Sequence, residues 1–389
     1  MSAAPIKKTS VVGFLVLPLI ACFLVFAKAH AGSCYRSDDE RLVRDGYSRL
    51  LNDVPDEAVR VFESGVRRDL ASPYRWTELG AALHAEGAKD EIGQARDCFN
   101  HAVKLGPNVP PIRLRAANFF LQTGAVPESL AEMAAVLKLT AGYDPIVFSY
   151  YRRLGLPVTE ILKAGIPDAR AARSYFVSLL VADDPKALQP VWAWAVARGY
   201  VDNPMTAQYT NYWMSRHDPE RADQIWKSHF GARSNLLFNG GFEVLPTGAV
   251  LDWVIQPSER AEAARDSQNA FAGEYSLRIL FHDGGDKEYA GVSQLAVVKP
   301  GRYLLRARIR TEGTPGGAGV SLRVYDAENA SRLLKNTPPV SGSTPWMAVA
   351  IPIHVQTPTR LLNVQIVRAA GKSGKGTAWI DAVELVPVD

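Results

Sequence analysis

The stretch Asn235-Leu236-Leu237-Phe238-Asn239-Gly240-Gly241-Phe242-Glu243, followed by Asp252-Trp253, marks where the chain changes from helical to strand patterning. After it the apolar period is 2. Tyr303, Leu305, Ala307 and Ile309 alternate with Leu304, Arg306, Arg308 and Arg310, and similar short runs follow at 320–325, 347–353, 361–367 and 378–386. Turn clusters such as Lys299-Pro300-Gly301 and Thr314-Pro315-Gly316-Gly317 separate the runs. Many short strands with Gly/Pro punctuation and no intervening helix predict an all-β jelly-roll sandwich over 234–389.

Before it, from about 37 to 230, the apolar period is that of a helix, as in Trp76, Leu79, Gly80 and Leu83 or Ala95, Phe99 and Ala102. The pattern also repeats. Ala58 and Phe62, Ala95 and Phe99, Ser129 and Met133 keep a spacing of four, with successive sets 37 and 34 residues apart. Asp184-Pro185 with Trp192 returns as Asp218-Pro219 with Trp226, 34 residues on. Such a period predicts stacked helix pairs, none of which buries its apolar face alone. Trp192, Trp194, Tyr209, Tyr212, Trp213 and Trp226 sit at helical spacing and are expected to pack in the core rather than form a ligand wall.

Trp76-x-x-Leu79-Gly80 with Ala95, Phe99, Ala102 and Pro107 resembles the tetratricopeptide repeat. Leu83 stands where that repeat usually has Tyr, and extra residues near Gly87 to Glu91 are expected to lengthen the turn between its two helices. The resemblance implies a helical-repeat solenoid whose concave surface docks an extended peptide or a partner helix. NLLFNGGFE, Asp252-Trp253, the run Gly273 to Arg278, the run Val298 to Tyr303 and the run Gly376 to Asp381 look like carbohydrate-binding modules of families four and nine, within the galactose-binding-like fold. That second resemblance covers nearly all of 234–389. It implies that Trp253 and Trp379 pack between the sheets, and that Glu243 and Asp381 belong to a structural calcium site completed by backbone carbonyls. The same two carboxylates could instead cap loops.

With 389 residues, 47% hydrophobic and 22% charged, the chain has material for two cores. A net charge of +4 with scattered Lys and Arg argues against a nucleic-acid partner. Lys7 and Lys8 precede the apolar run Val11 to Ala27, and Ala29-His30-Ala31 has the small-x-small pattern of a cleavage site, so 1–31 reads as a targeting segment. It is cleaved, retained as a membrane anchor, or acylated at Cys22, since Leu19-Ile20-Ala21-Cys22 resembles a lipobox. In each variant the body of the protein is exported to the cell envelope. Cys34 and Cys98 lack metal or redox spacing, and Cys98 beside Phe99 reads as a small buried helix residue.

No motif assembles a reaction centre: there is no phosphate-cradling loop, no His pair at metal spacing and no nucleophile with its base, so the protein is expected not to be an enzyme. Sugar capture needs flat apolar rings with polar groups at their rim. The candidates are Tyr289, Tyr325 and Trp346, with His282, Asp283, Asp286 and Gln294 as polar partners. Arg306, Arg308 and Arg310 share one strand face, and with Arg278 and Arg323 they would form an arginine field suited to an anionic polysaccharide if their strands are adjacent. The expected function is a noncatalytic adaptor joining a protein partner to a glycan. The alternative is a structural assembly protein whose two domains both bind proteins.

Overall fold

The computed structural model describes residues 37–87, 89–282, 287–370 and 374–388; the targeting segment, Cys22, Cys34, Asp283 and Asp286 lie outside them. Among the described residues no helix is long and apolar enough to cross a membrane.

Among the described residues twelve α-helices come first: α1 (Ser37–Leu51), α2 (Pro55–Arg68), α3 (Pro73–Glu86), α4 (Lys89–Leu105), α5 (Pro110–Gln122), α6 (Val126–Leu139), α7 (Asp144–Leu154), α8 (Val158–Ala164), α9 (Ala169–Val181), α10 (Pro185–Ala197), α11 (Asn203–Ser215) and α12 (Pro219–Phe230). The recurring Asp-Pro has a local cause. Asp184 and Asp218 are N-caps whose carboxylates accept the amides of Ala187 at 3.1 Å and Arg221 at 3.0 Å, while the following proline starts the helix where no N–H is needed. Asp202 caps α11 in the same way, accepting from Met205 at 2.9 Å.

The chain divides into compact units between Ser178 and Leu179, inside α9 and well before the change of period near 234. In the first unit the periodic pairs form the seam. Ala58, Phe62, Ala95, Phe99, Ser129 and Met133 are all buried, and Ser129 donates to the Ala117 carbonyl at 2.7 Å. A Cβ on Gly80 would stand 3.0 Å from the Phe99 ring, so the small residue admits the large one. Phe99 in turn stacks on Phe119 at 4.6 Å. The extra residues near Gly87 do not lengthen a turn, as the sequence had suggested. They extend α4 to 17 residues, against 14 in α2 and α6, and Gly87 closes α3 in the left-handed conformation at φ 81°. Cys98 is buried and free.

The second unit joins α10–α12 to a sandwich of two antiparallel five-stranded sheets. Its strands are β1 (Val254–Ile255), β2 (Ala261–Asp266), β3 (Ser276–Phe281), β4 (Tyr289–Val297), β5 (Gly301–Thr314), β6 (Val320–Asp326), β7 (Leu334–Asn336), β8 (Gly342–Val355), β9 (Leu361–Arg368) and β10 (Gly376–Pro387). Sheet A runs β1-β4-β9-β6-β7 and sheet B runs β2-β3-β10-β5-β8. The inward residues of both build one core around Trp253, which is fully buried and donates its indole N–H to the Asn239 carbonyl at 3.0 Å.

Asn235-to-Glu243 is stitched to the closing strand. Asn235 donates to the Val383 carbonyl at 3.1 Å and accepts from the Leu385 amide at 2.9 Å, and the Gly240 carbonyl accepts from the Val383 amide at 2.9 Å. A Cβ on Gly240 would lie 2.0 Å from the Val383 oxygen, which is why only glycine fits.

A second apolar cluster crosses the change of period. Ala207, Trp226, Phe238, Ala249 and Leu251 are buried together, with Met214, Phe230, Leu295 and Val297 against them. Asn211 of α11 reinforces it, donating to the Gly248 carbonyl and accepting from the Val250 amide, both at 2.9 Å. Tyr209, Trp213 and Trp226 are buried, in line with packing rather than a ligand wall. The outer face of sheet A is therefore partly covered by helix, and residues 234–389 do not carry a complete surface of their own. Trp226→Ala is expected to cost about 3–5 kcal/mol and to lower the melting of the second unit, its last helices and the sandwich together. An unchanged melting of the sandwich would contradict that coupling.

Candidate functional site

Strand β5 sets the geometry of the site. Leu305, Ala307 and Ile309 point into the core, so Arg306, Arg308 and Arg310 stand on the outward face of sheet B. Each has a different neighbour. Arg306 pairs with Glu384 across the ladder to β10. Arg310 donates to Asn269 at 2.9 Å, with its guanidinium 5.0 Å from the centre of the Trp379 ring. Arg308 lies 4.6 Å from the centre of the Phe271 ring. The Trp346 ring meets Phe271 edge-on at 5.9 Å. Phe271 is 44% exposed, an aromatic ring left facing water beside guanidinium groups.

Phe271 belongs to the loop between β2 and β3, and backbone hydrogen bonds hold that loop over sheet B. Asp381, fully buried, accepts the amides of Phe271 at 2.7 Å and Ala272 at 3.0 Å. Glu243 accepts from Glu274 at 3.1 Å and Tyr275 at 3.3 Å. Arg265 lies 3.7 Å from the Tyr275 ring centre and donates to the Phe242 and Glu243 carbonyls at 2.7 Å. Burial, opposed by the accepted amides and reinforced by the nearby Glu243 charge, raises the Asp381 pKa above the usual aspartate value. A raised pKa means the folded state holds the proton more tightly. Ionisation of Asp381 therefore costs stability as pH rises from the unfolded value through the folded one.

Glu243 and Asp381 both face Gly241; their nearest oxygens would lie 3.7 and 3.6 Å from a Cβ there. Neither makes a salt bridge to Lys or Arg among the described residues. Among the described residues no group of three or more His, Cys, Asp or Glu gathers as metal ligands, and these two adjacent carboxylates cap the loop amides.

The structure brings some of the sequence candidates together and separates the others. Trp346, Arg306, Arg308 and Arg310 share the outward face of sheet B. Tyr289 does not: it is buried against Phe281 in the core, because the β4 bulge between 289 and 292 turns it inward. Tyr325 lies on the outward face of sheet A, its hydroxyl accepting from Asn363 at 3.0 Å. Arg278 is on sheet B two strands from β5, but Arg323 is on sheet A, in a bidentate pair with Glu288 at 2.6 and 2.5 Å. The expected field of five arginines is thus split between two sheets. Gln294 is buried and clamps the Phe238 backbone through both ends of its amide, and His282 is an exposed residue at the end of β3. Trp379 does not pack between the sheets. Ala378 and Ile380 take the inward positions, and Trp379 faces outward under Arg310, its indole donating to Asp266 at 2.6 Å.

Phe271 and Asn269 escaped the sequence reading. Their signal was an aromatic residue in an otherwise small and polar loop, Gln268-Asn269-Ala270-Phe271-Ala272-Gly273.

No family model and no curated protein matches the chain. Among solved structures, a family 61 carbohydrate-binding module in complex with β-1,4-galactotriose is 20% identical with a TM-score of 0.30, covering 40% of this chain and 100% of its own. A family 16 carbohydrate-binding module is 17% identical with a TM-score of 0.29, covering 39% of this chain and 99% of its own. The Yersinia enterocolitica type III secretion chaperone SycD, in complex with a peptide of the translocator YopD, is 19% identical with a TM-score of 0.26, covering 31% of this chain and 88% of its own.

Gly273 sits at φ +73°, where a Cβ would meet a Glu243 oxygen at 2.1 Å. Gly273→Ala is expected to destabilise the protein by about 1–3 kcal/mol and to change the fluorescence of Trp346 as the Phe271 loop lifts. An unchanged melting temperature and spectrum would show that the loop is not held as described.

Proposed function

We propose that the protein is a noncatalytic adaptor of the cell envelope, in which the outward face of sheet B binds a glycan and the helical hairpins of the first unit bind a protein partner. One observation carries the glycan reading: Phe271, exposed and held in place from behind by Asp381, lies beside Trp346 with Arg308 against its ring. An apolar ring fixed in water accepts the C–H face of a pyranose, and the guanidinium beside it supplies donors for the sugar's oxygens. The partner-binding role of the hairpins rests on the repeat architecture alone. Export is proposed from the targeting pattern at 1–31.

The adaptor has an asymmetry that the sequence pattern did not suggest. Helices α11 and α12 pack on the sandwich, so the hairpins taken for a protein partner are those of the first unit. Glu243 and Asp381 are the residues that would hold a structural calcium, whose charge would neutralise the two adjacent carboxylates and favour ionised Asp381.

Phe271→Ala combined with Trp346→Ala is expected to weaken retention of the full chain on a glycan array at least about tenfold, a loss of about 1.4 kcal/mol, with the melting temperature little changed. Failure of the unaltered chain to bind any glycan would leave the alternative in which both units bind proteins. Excess calcium over EDTA is expected to raise the melting temperature, and Glu243→Gln to remove that rise. An identical melting temperature in calcium and in EDTA would contradict the metal proposal.

A further inference from the structure

On the reading that sheet B binds a glycan, we infer that the glycan is a uronate polymer whose carboxylate is bound by Arg308. The inference follows from which charges on this face are already satisfied. Arg306 is neutralised by Glu384, Arg310 is engaged by Asn269 and Trp379, and Arg278 lies 4.0 Å from Glu262. Arg308 has neither a salt bridge nor a hydrogen bond among the described residues, its contact being the Phe271 ring.

The carboxylates near Arg308 are not free to satisfy it. Asp381 is its partner in the β5–β10 register but is fully buried, its oxygens taken by the amides of Phe271, Ala272 and Ala382. Glu384 is held by Arg306. On the other side the register partner of Arg308 is Ala348, which offers no side-chain acceptor.

A guanidinium has five N–H donors and no acceptor, and its fork matches a carboxylate in a bidentate pair. Packing one face of the group on Phe271 lowers the cost of fixing it and displaces water from that side. A sugar seated on the exposed side of Phe271 would present its ring substituents to Arg308. A ring carboxylate there gains two charge-assisted hydrogen bonds, whereas a neutral hydroxyl gains one weaker one. The flanking arginines, each about 7 Å along β5 at two residues per step, keep the surrounding potential positive.

The test compares the full chain on polygalacturonate, on the same polymer methyl-esterified, and on dextran sulfate. Expected are retention on polygalacturonate and at least tenfold weaker retention on the ester. Arg308→Ala should lose the preference, and Arg308→Lys should fail to restore it because an ammonium lacks the fork. Arg323→Ala, on the opposite sheet, should bind as the unaltered chain does. Equal retention of acid and ester, or unchanged binding by Arg308→Ala, would overturn the uronate inference while leaving glycan binding intact. Stronger retention on dextran sulfate, abolished by moderate salt in the unaltered chain and the Arg308 variants alike, would also overturn it as non-specific polyanion attraction. Absence of binding to every glycan would instead remove the underlying reading.

Discussion

The sandwich depends on the close approach of two distant segments, Asn235-to-Glu243 and the Asp381-to-Leu385 part of β10. The backbone of Gly240 meets that of Val383 where no side chain fits, and Asn235 bonds to the main chain on both sides of the gap. From the same place Asp381 and Glu243 reach over sheet B and hold the 271–275 loop by its amides. A surface aromatic is thus fixed by a buried carboxylate. That arrangement is costly, because burial and a neighbouring charge oppose ionisation of Asp381, and accepted amide hydrogen bonds offset part of the penalty. The lacing is structural first, and the exposed Phe271 is its consequence.

A second constraint works on the opposite face. Trp226, Phe238, Leu251, Leu295 and Val297 bury one another, so the last helices and sheet A share an apolar layer. The chain changes its hydrophobic period near 234 but does not change compact unit there. Periodicity records which backbone geometry a segment adopts, whereas unit boundaries follow from which faces remain to be covered. Here the face of a sheet is completed by helices that precede it.

Much of the fold was legible because it is local. The alternation of Tyr303 to Arg310 placed three arginines outward, and the spacing of Ala58/Phe62, Ala95/Phe99 and Ser129/Met133 located a seam that proves buried. The same rule, applied to Ala378, Trp379 and Ile380, gives Trp379 an outward position, and size alone misled the expectation that it packs inside. What the sequence hid is non-local. Nothing along the chain says that β6 joins sheet A while β3 and β5 join sheet B, so Arg323 could not be separated from Arg278 and Arg306. Tyr289 was misjudged because a bulge, which shifts register by a residue, turned it into the core. Phe271 was missed because a loop has no period to mark which side its residues face.

Amide hydrogen exchange of the full chain with and without polygalacturonate tests the central claim most directly. The account predicts slowed exchange confined to the loop 269–273 and to 346–350 of β8, next to Phe271, Trp346 and Arg308. Protection confined to β6 and β9 of sheet A, or to the helices of the first unit, would contradict it.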